Sequence, residues 1–558
     1  MHKSGFSPGK NVLHLFTNLY ILSIADDSFI VGETMKGAYF MFSRAYSAVI
    51  HGIDGLIVSV EADVSDGLPL FEMVGLLNSE VKEARERVRI ALKNSGYMFP
   101  PKRITVNLSP ADIRKEGTAF DLPVAVAILT AFGHVLEDNL KDTLIIGELS
   151  LNGTIKKVNG VLPLVYAARQ RGFLRCVVPK ENADEGAVVS GIKVYGAGTL
   201  KEAVQMLNGF DDYKPNSVDI GMLFQGGHSE DGLSDENVDF SDVAGQAAVK
   251  RAIEIAVSGM HNILMIGPPG SGKTMLAKRI PTIMPELSFD ESMEISKIYS
   301  IAGLLGNRAL ITGRPFRSPH HSITSTALVG GGATPKPGEI SLAHLGVLFL
   351  DELPEFNKNT LEVLRQPLEE KAVTISRLNA TYRYPAGFMM VASMNPCSCG
   401  YYPDRNRCNC SLNMIKRYLG KISKPLLDRF DICIEAPQID YKELQIKKME
   451  ETSADIRKRV QAARRIQMDR YAGQGIWFNS QLTPKSIHKY CRLDAREKNL
   501  LEQAFEKMKL SARAYHRIIK VARTIADLDS SERITVRHIS EAICYRSIDG
   551  KYWGGEGL

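Results

Sequence analysis

The stretch from His261 to Thr274, HNILMIGPPGSGKT, decides how the chain is read. It opens as a short continuous apolar run, the pattern of a parallel strand buried on both faces. It then breaks into glycine and proline and passes into a helical run. Gly267, Pro268, Pro269, Gly270, Ser271, Gly272, Lys273 and Thr274 fit G-x4-G-K-[ST], and a strand before and a helix after are the context that gives this motif meaning. The glycines let successive backbone N–H groups converge on phosphate. The helix that follows adds the positive end of its dipole. Lys273 then supplies charge to the β- and γ-phosphates of ATP, and Thr274 a hydroxyl to Mg2+.

A phosphate loop needs an acid at the end of a neighbouring strand, and VLFLDE supplies one. Asp351 is the expected Mg2+ partner, and Glu352 the residue that orients and polarises the attacking water. A further apolar run, VASMNP, ends at Asn395, a polar group suited to positioning that water. KPLLDRFDI puts Arg429 in a loop between apolar runs, where it is a candidate finger for the γ-phosphate of an adjacent subunit. Such fingers are worth about 10³–10⁵ in rate in related phosphoryl chemistry. Arg513, at the head of a helix in LSARAYHR, is a candidate second arginine for the same phosphate. These residues set the expected catalytic group: Glu352, Asn395, Arg429 and Arg513.

Around this segment the pattern changes three times. Residues 41–207 mix strands such as GLIVSVEADV and RITVNLSPA with helices such as SEVKEARERVRIALKNSGY, stopped by Gly96. TLIIGELSLNGTI predicts a strand, a turn at Asn152-Gly153 and a return strand. Residues 208–238 are rich in Gly, Ser, Asp and Asn without a period, and predict a linker. Residues 239–440 carry the phosphate loop, and 441–558 predict a helical lid rich in Lys, Arg, Glu and Ala. There Ile518, Val521, Ala522 and Ile525 face one way, with Arg513, Arg517, Lys520 and Arg523 toward the other.

The order of phosphate loop, acidic strand, Asn395 strand, LLDRFD and SAR resembles the AAA+ ATPases. RPFRSPHHSIT, LVGGGATPKPGEISLAHLGVLFLDELPEF and NPCSCGYY narrow the resemblance to the magnesium-chelatase-like ComM/YifB family. It covers about Ser43 to Arg546. It implies a multidomain α/β protein, with a Lon-protease-like α+β N-terminal domain, an AAA+ core and a helical lid. It also implies a ring-forming, hexameric ATPase linked to branch migration of DNA in natural transformation. In the Lon-like segment Ala119 falls where the nucleophilic Ser would be and Leu162 where its Lys would be. Neither can do that chemistry, so a binding or assembly role is expected of this domain. Asp121 and Lys157 lie close by in sequence.

Four of eight cysteines crowd into residues 397–410 as C-x-C-x8-C-x-C. Cys397, Cys399, Cys408 and Cys410 are either zinc ligands or plain, redox-labile thiols. Tyr401, Tyr402, Arg405 and Arg407 on the same loop would suit base stacking and phosphate contact, or packing within the hairpin. His320 and His321 are expected to structure their loop. LVGGGATPKPGEISLAH is the candidate pore loop, with Gly330 to Gly332 giving mobility.

The 558 residues exceed one core, and a net charge of +6 permits nucleic acid without requiring it. No stretch reaches the roughly 20 apolar residues of a membrane span, and a cytoplasmic protein is expected. Residues 1–40 read as an extension or over-long gene start, with Met41 as an alternative start, or as a leader. Three functions compete: a DNA motor, a motor remodelling a protein partner, and a degenerate ATP-dependent protease. A switch whose ATPase only sets conformation is a fourth.

Overall fold

The apolar runs around the phosphate loop become one parallel sheet. In the computed structural model the strands lie in the order Phe316–Arg317, Val347–Leu350, Met389–Met394, Ile263–Ile266, Ile432–Glu435. All four pairings are parallel. Every residue of Ile263–Ile266 and Val347–Leu350 is buried, as a sheet covered by helices on both faces requires. The first strand in sequence sits between the fourth and the fifth. The chain therefore reverses direction of travel beside it, the place where open α/β sheets bind ligands at their carboxyl ends. The structure describes residues 42–225, 238–332, 335–377, 380–438 and 450–553.

The preceding half forms a seven-stranded mixed sheet. Its strands Phe42–His51, Asp54–Ser65 and Arg103–Ser109 pair antiparallel, and Leu70–Val74, Thr143–Ile145, Arg175–Pro179 and Lys193–Ala197 add parallel. The helix Ser79–Asn94 buries Val81, Ala84, Val88, Ala91 and Leu92, one stripe at helical spacing. The Asn78 side chain caps its start, and Gly96, at φ +84°, follows its end. The helix Asp121–Ala131 is buried on every side. Glu148–Leu149 and Ile155–Lys156 pair across the expected turn.

The expected linker differs from its sequence reading. Residues 208–225 are folded: Asn216 donates its N–H to Val194 O at 2.8 Å and accepts from Gly196 N at 3.2 Å. Val218, Leu223 and Phe224 pack on buried apolar clusters. A few apolar anchors in a polar stretch fix it to the sheet edge. The rest of the expected linker lies largely outside the described residues, as do the expected N-terminal extension and residues 439–449.

The C-terminal part is helical, with Ser453–Tyr471, Pro484–Tyr490, Ala495–Lys507, Ala512–Leu528 and Val536–Trp553. Ile518, Val521, Ala522 and Ile525 are buried as their spacing predicts. Arg523 departs from the expected basic face and is only 2% exposed. Its Nε donates to Asp527 Oδ1 at 3.1 Å, while Arg470 Nη1 reaches Oδ2 at 2.9 Å and Asn479 Nδ2 the same oxygen at 2.8 Å. A buried charge persists only when paired and hydrogen-bonded, and this network meets both conditions. Among the described residues no helix is long and apolar enough to cross a membrane.

Candidate functional site

The phosphate loop leaves the carboxyl end of Ile263–Ile266 and enters the helix Lys273–Ile283. A Cβ on Gly267 would lie 2.2 Å from Ala436 O, so this position requires glycine. Gly270 and Gly272 take φ values of +75° and +78°, with open space where a side chain would stand. Gln246 braces the loop from outside, donating to Ser271 O at 3.3 Å and Pro437 O at 2.6 Å.

Lys273, Thr274, Asp351 and Asn395 come together here. Lys273 Nζ donates to Gly267 O and Pro268 O, both at 2.9 Å, and lies 3.4 Å from Asn395 Oδ1. Burial pushes its ammonium below the ordinary lysine range, against the opposing pull of Asp351 and Glu352. Thr274 Oγ1 donates to Asp351 Oδ2 at 2.7 Å. Ser393 donates to the other Asp351 oxygen. A hydroxyl beside a carboxylate is a hard-oxygen donor set of the kind Mg2+ takes.

Glu352 follows at φ +52°, left-handed for a residue with a Cβ. Such a conformation costs on the order of 1–3 kcal/mol and persists where the surroundings impose it, often at functional sites. Its carboxylate is mostly exposed and stands 3.9 Å from His321 Nδ1. His320 structures the loop as expected, with Nδ1 2.8 Å from Ser322 Oγ. The His321 ring packs tilted against it, with ring centroids 4.0 Å apart, and faces Glu352.

Arg429 and Arg513 do not join this group. Arg429 lies at the opposite end of the sheet, where its backbone carbonyl accepts from Asn262 Nδ2 at 2.9 Å, just before the strand Ile263–Ile266 begins. Four strand residues separate the two ends by about 13 Å. The Arg429 guanidinium is buried, and Nη2 donates to Glu369 Oε1 at 2.6 Å. Arg513 Nη2 stands 3.9 Å from the same oxygen. With His516, Arg517 and Lys520 they line a pocket of about 190 Å³ in which Glu369 is the one acid. Asn262 fixes this end: its N–H donates to Asp431 Oδ2 at 3.1 Å, and its Oδ1 accepts from Met390 N at 2.9 Å. Burial alone would raise the Asp431 carboxyl, but Arg517, His261 and Lys520 outweigh it and hold it well below the usual range.

Asn262, Ser393, Gln246 and His321 were not singled out as functional from sequence. The first three act through contacts distant in the chain. His321 alone had a visible signal, as a titratable residue in a polar loop between apolar runs.

The four cysteine sulfurs of residues 397–410 all lie within 4.8 Å of one another. The arginines of that loop have protein partners: Arg405 lies 5.2 Å from the Tyr402 ring centre and donates to Cys410 O at 3.0 Å, and Arg407 lies 4.0 Å from that of Tyr401 and donates to Gln438 Oε1 at 2.9 Å. The candidate pore loop forms a small hairpin, Gly330–Gly331 against Lys336–Pro337. At Gly330 a Cβ would lie 2.4 Å from Lys336 O, so this position requires glycine for close approach, and Gly330, Gly331 and Gly332 all take positive φ.

In the N-terminal half, Leu162 is a buried core residue of the helix Val161–Gln170. Ala119 lines a pocket of about 360 Å³ with Thr118, Glu148 and Lys157. There the Thr118 hydroxyl donates to Glu148, and Lys157 Nζ donates to Gly306 O. Asp121 sits in the core, paired with Arg87 at 2.8 Å. Burial pushes its carboxyl up to about 6, against the pull of Arg87.

Comparison with known proteins covers nearly the whole chain. Three family models match: "Subunit ChlI of Mg-chelatase" over residues 60–182, "Magnesium chelatase, subunit ChlI" over 239–444, and "Magnesium chelatase, subunit ChlI C-terminal" over 450–546. The chain is 45% identical over 505 residues to the competence protein ComM of Haemophilus influenzae, covering 90% of this chain and 97% of that one. It is 42% identical over 502 residues to YifB of Escherichia coli, covering 89% and 96%. A shorter likeness, 29% over 147 residues, relates it to Lon protease 2 of Bacillus subtilis, covering 25% of this chain and 26% of that protein. With the phosphate-loop sheet and full-length relatives of this order, the chain belongs to the ComM/YifB family of magnesium-chelatase-like proteins.

Proposed function

We propose that the chain is a cytoplasmic, ring-forming AAA+ ATPase that moves DNA, with a Lon-like N-terminal domain, an AAA+ core and a helical lid. One observation carries the ring: the arginine pair and the phosphate loop stand at opposite ends of one sheet. An arginine that cannot reach its own subunit's phosphate can serve a neighbour's, and a head-to-tail contact forms a ring where its rotation closes. A hexamer is the size expected.

In this reading Lys273 and the loop N–H groups bind the phosphates of ATP. Thr274 and Asp351 would hold Mg2+, which supplies charge neutralisation when bound. Ser393 orients Asp351 from behind. Glu352 accepts a proton from the attacking water, and Asn395, in reach of Lys273, fixes its position. Arg429, released from Glu369, and Arg513 would meet the γ-phosphate bound by the next subunit. The four thiols of residues 397–410 would hold a zinc ion.

DNA as the client draws on the relative named as a competence protein. Exposed Lys336, Arg377 and Arg383 on two neighbouring hairpins support it, and Arg377 joins them by donating to Gly332 O at 3.0 Å. Cations presented this way suit a phosphate backbone. A protein client, as the chelatase likeness suggests, is the second reading. Protease activity has least support, because Ala119 and Leu162 occupy the dyad positions.

The test is migration of a three- or four-stranded DNA junction by purified protein with ATP, beside Lys273→Ala. Movement that needs Lys273 is expected. Absence of movement, with an ATPase indifferent to every DNA tried, would turn the reading to a protein client.

A further inference from the structure

The cysteine loop connects the strand Met389–Met394, followed at once by Asn395, to the helix Leu412–Leu419. Residues 397–410 contain neither helix nor strand, so no backbone ladder holds them. Yet Cys397, Cys408 and Cys410 are buried. Four thiolates around zinc at about 2.3 Å would stand about 3.8 Å apart. Cys397 Sγ lies 3.3 Å from Cys399 Sγ and 3.7 Å from Cys408 Sγ. The Gly400 N–H donates to Cys397 O at 3.0 Å and the Cys408 N–H to Asp404 O at 2.8 Å, so two tight turns bring the thiols together. All four cysteines are free.

The loop also touches the nucleotide site twice. Asn395 stands two residues before Cys397 on the same chain exit. Gly400, at φ +89°, lies with its backbone against the Pro269 ring of the phosphate loop. A Cβ there would stand 2.4 Å from Pro269 Cδ and 2.8 Å from Cγ. On the far side, the Tyr402 ring packs 6.1 Å from Tyr552 in the last helix, Val536–Trp553.

We infer that zinc bound by Cys397, Cys399, Cys408 and Cys410 fastens the wall of the ATP site, setting Asn395 through the chain and Pro269 through Gly400. This rests on the zinc reading above. The metal takes the place of a backbone ladder, since binding free energy at such a site is folding free energy for the segment it ties. Loss of the metal, by chelation or thiol oxidation, then lowers ATP turnover without altering any residue that touches nucleotide.

The experiment uses the full-length protein, purified without metal-affinity resin. Zinc per chain is measured by mass spectrometry. Affinity for a fluorescent ATP analogue and kcat are read before zinc removal, after it, and after zinc is added back. One zinc per chain is expected, with an approximately 10- to 100-fold loss on removal, the scale of a small misplacement of catalytic groups, and recovery on addition. Gly400→Val keeps every thiol, so it should keep its zinc and still show the loss. Zinc-free protein with full activity overturns both readings. Zinc-loaded protein whose stripping leaves affinity and kcat unchanged keeps the zinc but overturns its coupling to the ATP site. A Gly400→Val protein with unchanged affinity and kcat also contradicts the coupling.

Discussion

The two ends of the phosphate-loop sheet are built on different plans. At the carboxyl end, Lys273, Thr274, Asp351, Ser393 and Asn395 satisfy one another within a single chain. At the amino end, the buried guanidinium of Arg429 is paired with a carboxylate, Glu369, that is 54% exposed. Arg513 approaches the same oxygen from the start of the helix Ala512–Leu528. The first end is finished within the protomer; the second holds two cations on one solvent-facing acid. Under the proposed function, the contrast divides the catalytic set, half to receive nucleotide and half to give arginine.

Breaking the giving half should have the largest effect. Arg429→Ala is expected to lower kcat by about 10³–10⁵, with ATP affinity spared. Steady-state turnover beside nucleotide titration checks this, and a loss of affinity instead would put Arg429 in its own subunit's pocket. Glu352→Gln strikes the receiving half. It should cost about 10²–10⁴ in kcat as a lost general base, while ATP stays bound. Normal turnover would remove Glu352 from that role.

Asp431→Asn tests what holds the arginine end in place. Removing this buried charge leaves Arg517, Lys520 and His261 without their anion, at a cost of about 3–5 kcal/mol, read by chemical denaturation at pH 7. The carboxyl is held below its ordinary value, so its contribution is full above the unfolded pKa of about 3.9 and is lost only as pH falls below that. The wild-type advantage over Asp431→Asn should therefore be flat from about pH 8 to 9, clear of the carboxyl and of the ordinary range of the neighbouring His261 imidazole. An advantage that changed steeply across that range would contradict the assignment. The smallest effect is expected from His321→Ala, roughly tenfold or less in kcat with unchanged affinity, since the residue positions Glu352 and touches no substrate.

The receiving half was legible in sequence because its signals are local. A buried strand gives a continuous apolar run, and the residues it delivers follow within a few positions, as with Lys273 after Ile266 and Glu352 after Leu350. The fold of the phosphate-loop segment followed from the same runs. What holds the giving half was not legible. Asn262 joins Arg429, Asp431 and Met390 across more than a hundred residues, and nothing near Asn262 announces it. Polar residues that fold by long-range pairing misled in the same way. Asn216 fixes part of an expected linker to a sheet edge, and Arg523 is buried where helical spacing pointed outward. The cysteine spacing showed four candidate ligands, but the contact of Gly400 with Pro269 exists only in three dimensions.

The divided site is tested most directly by mixing. Lys273→Ala subunits lack the phosphate loop's lysine but carry Arg429, and Arg429→Ala subunits are the reverse. Each should be inactive alone. In a random ring roughly one interface in four pairs an intact loop with an intact arginine, given a head-to-tail contact. Recovery of ATP hydrolysis on mixing is the predicted result. Mixtures that co-assemble and remain as inactive as their parts would contradict a catalytic set shared between subunits.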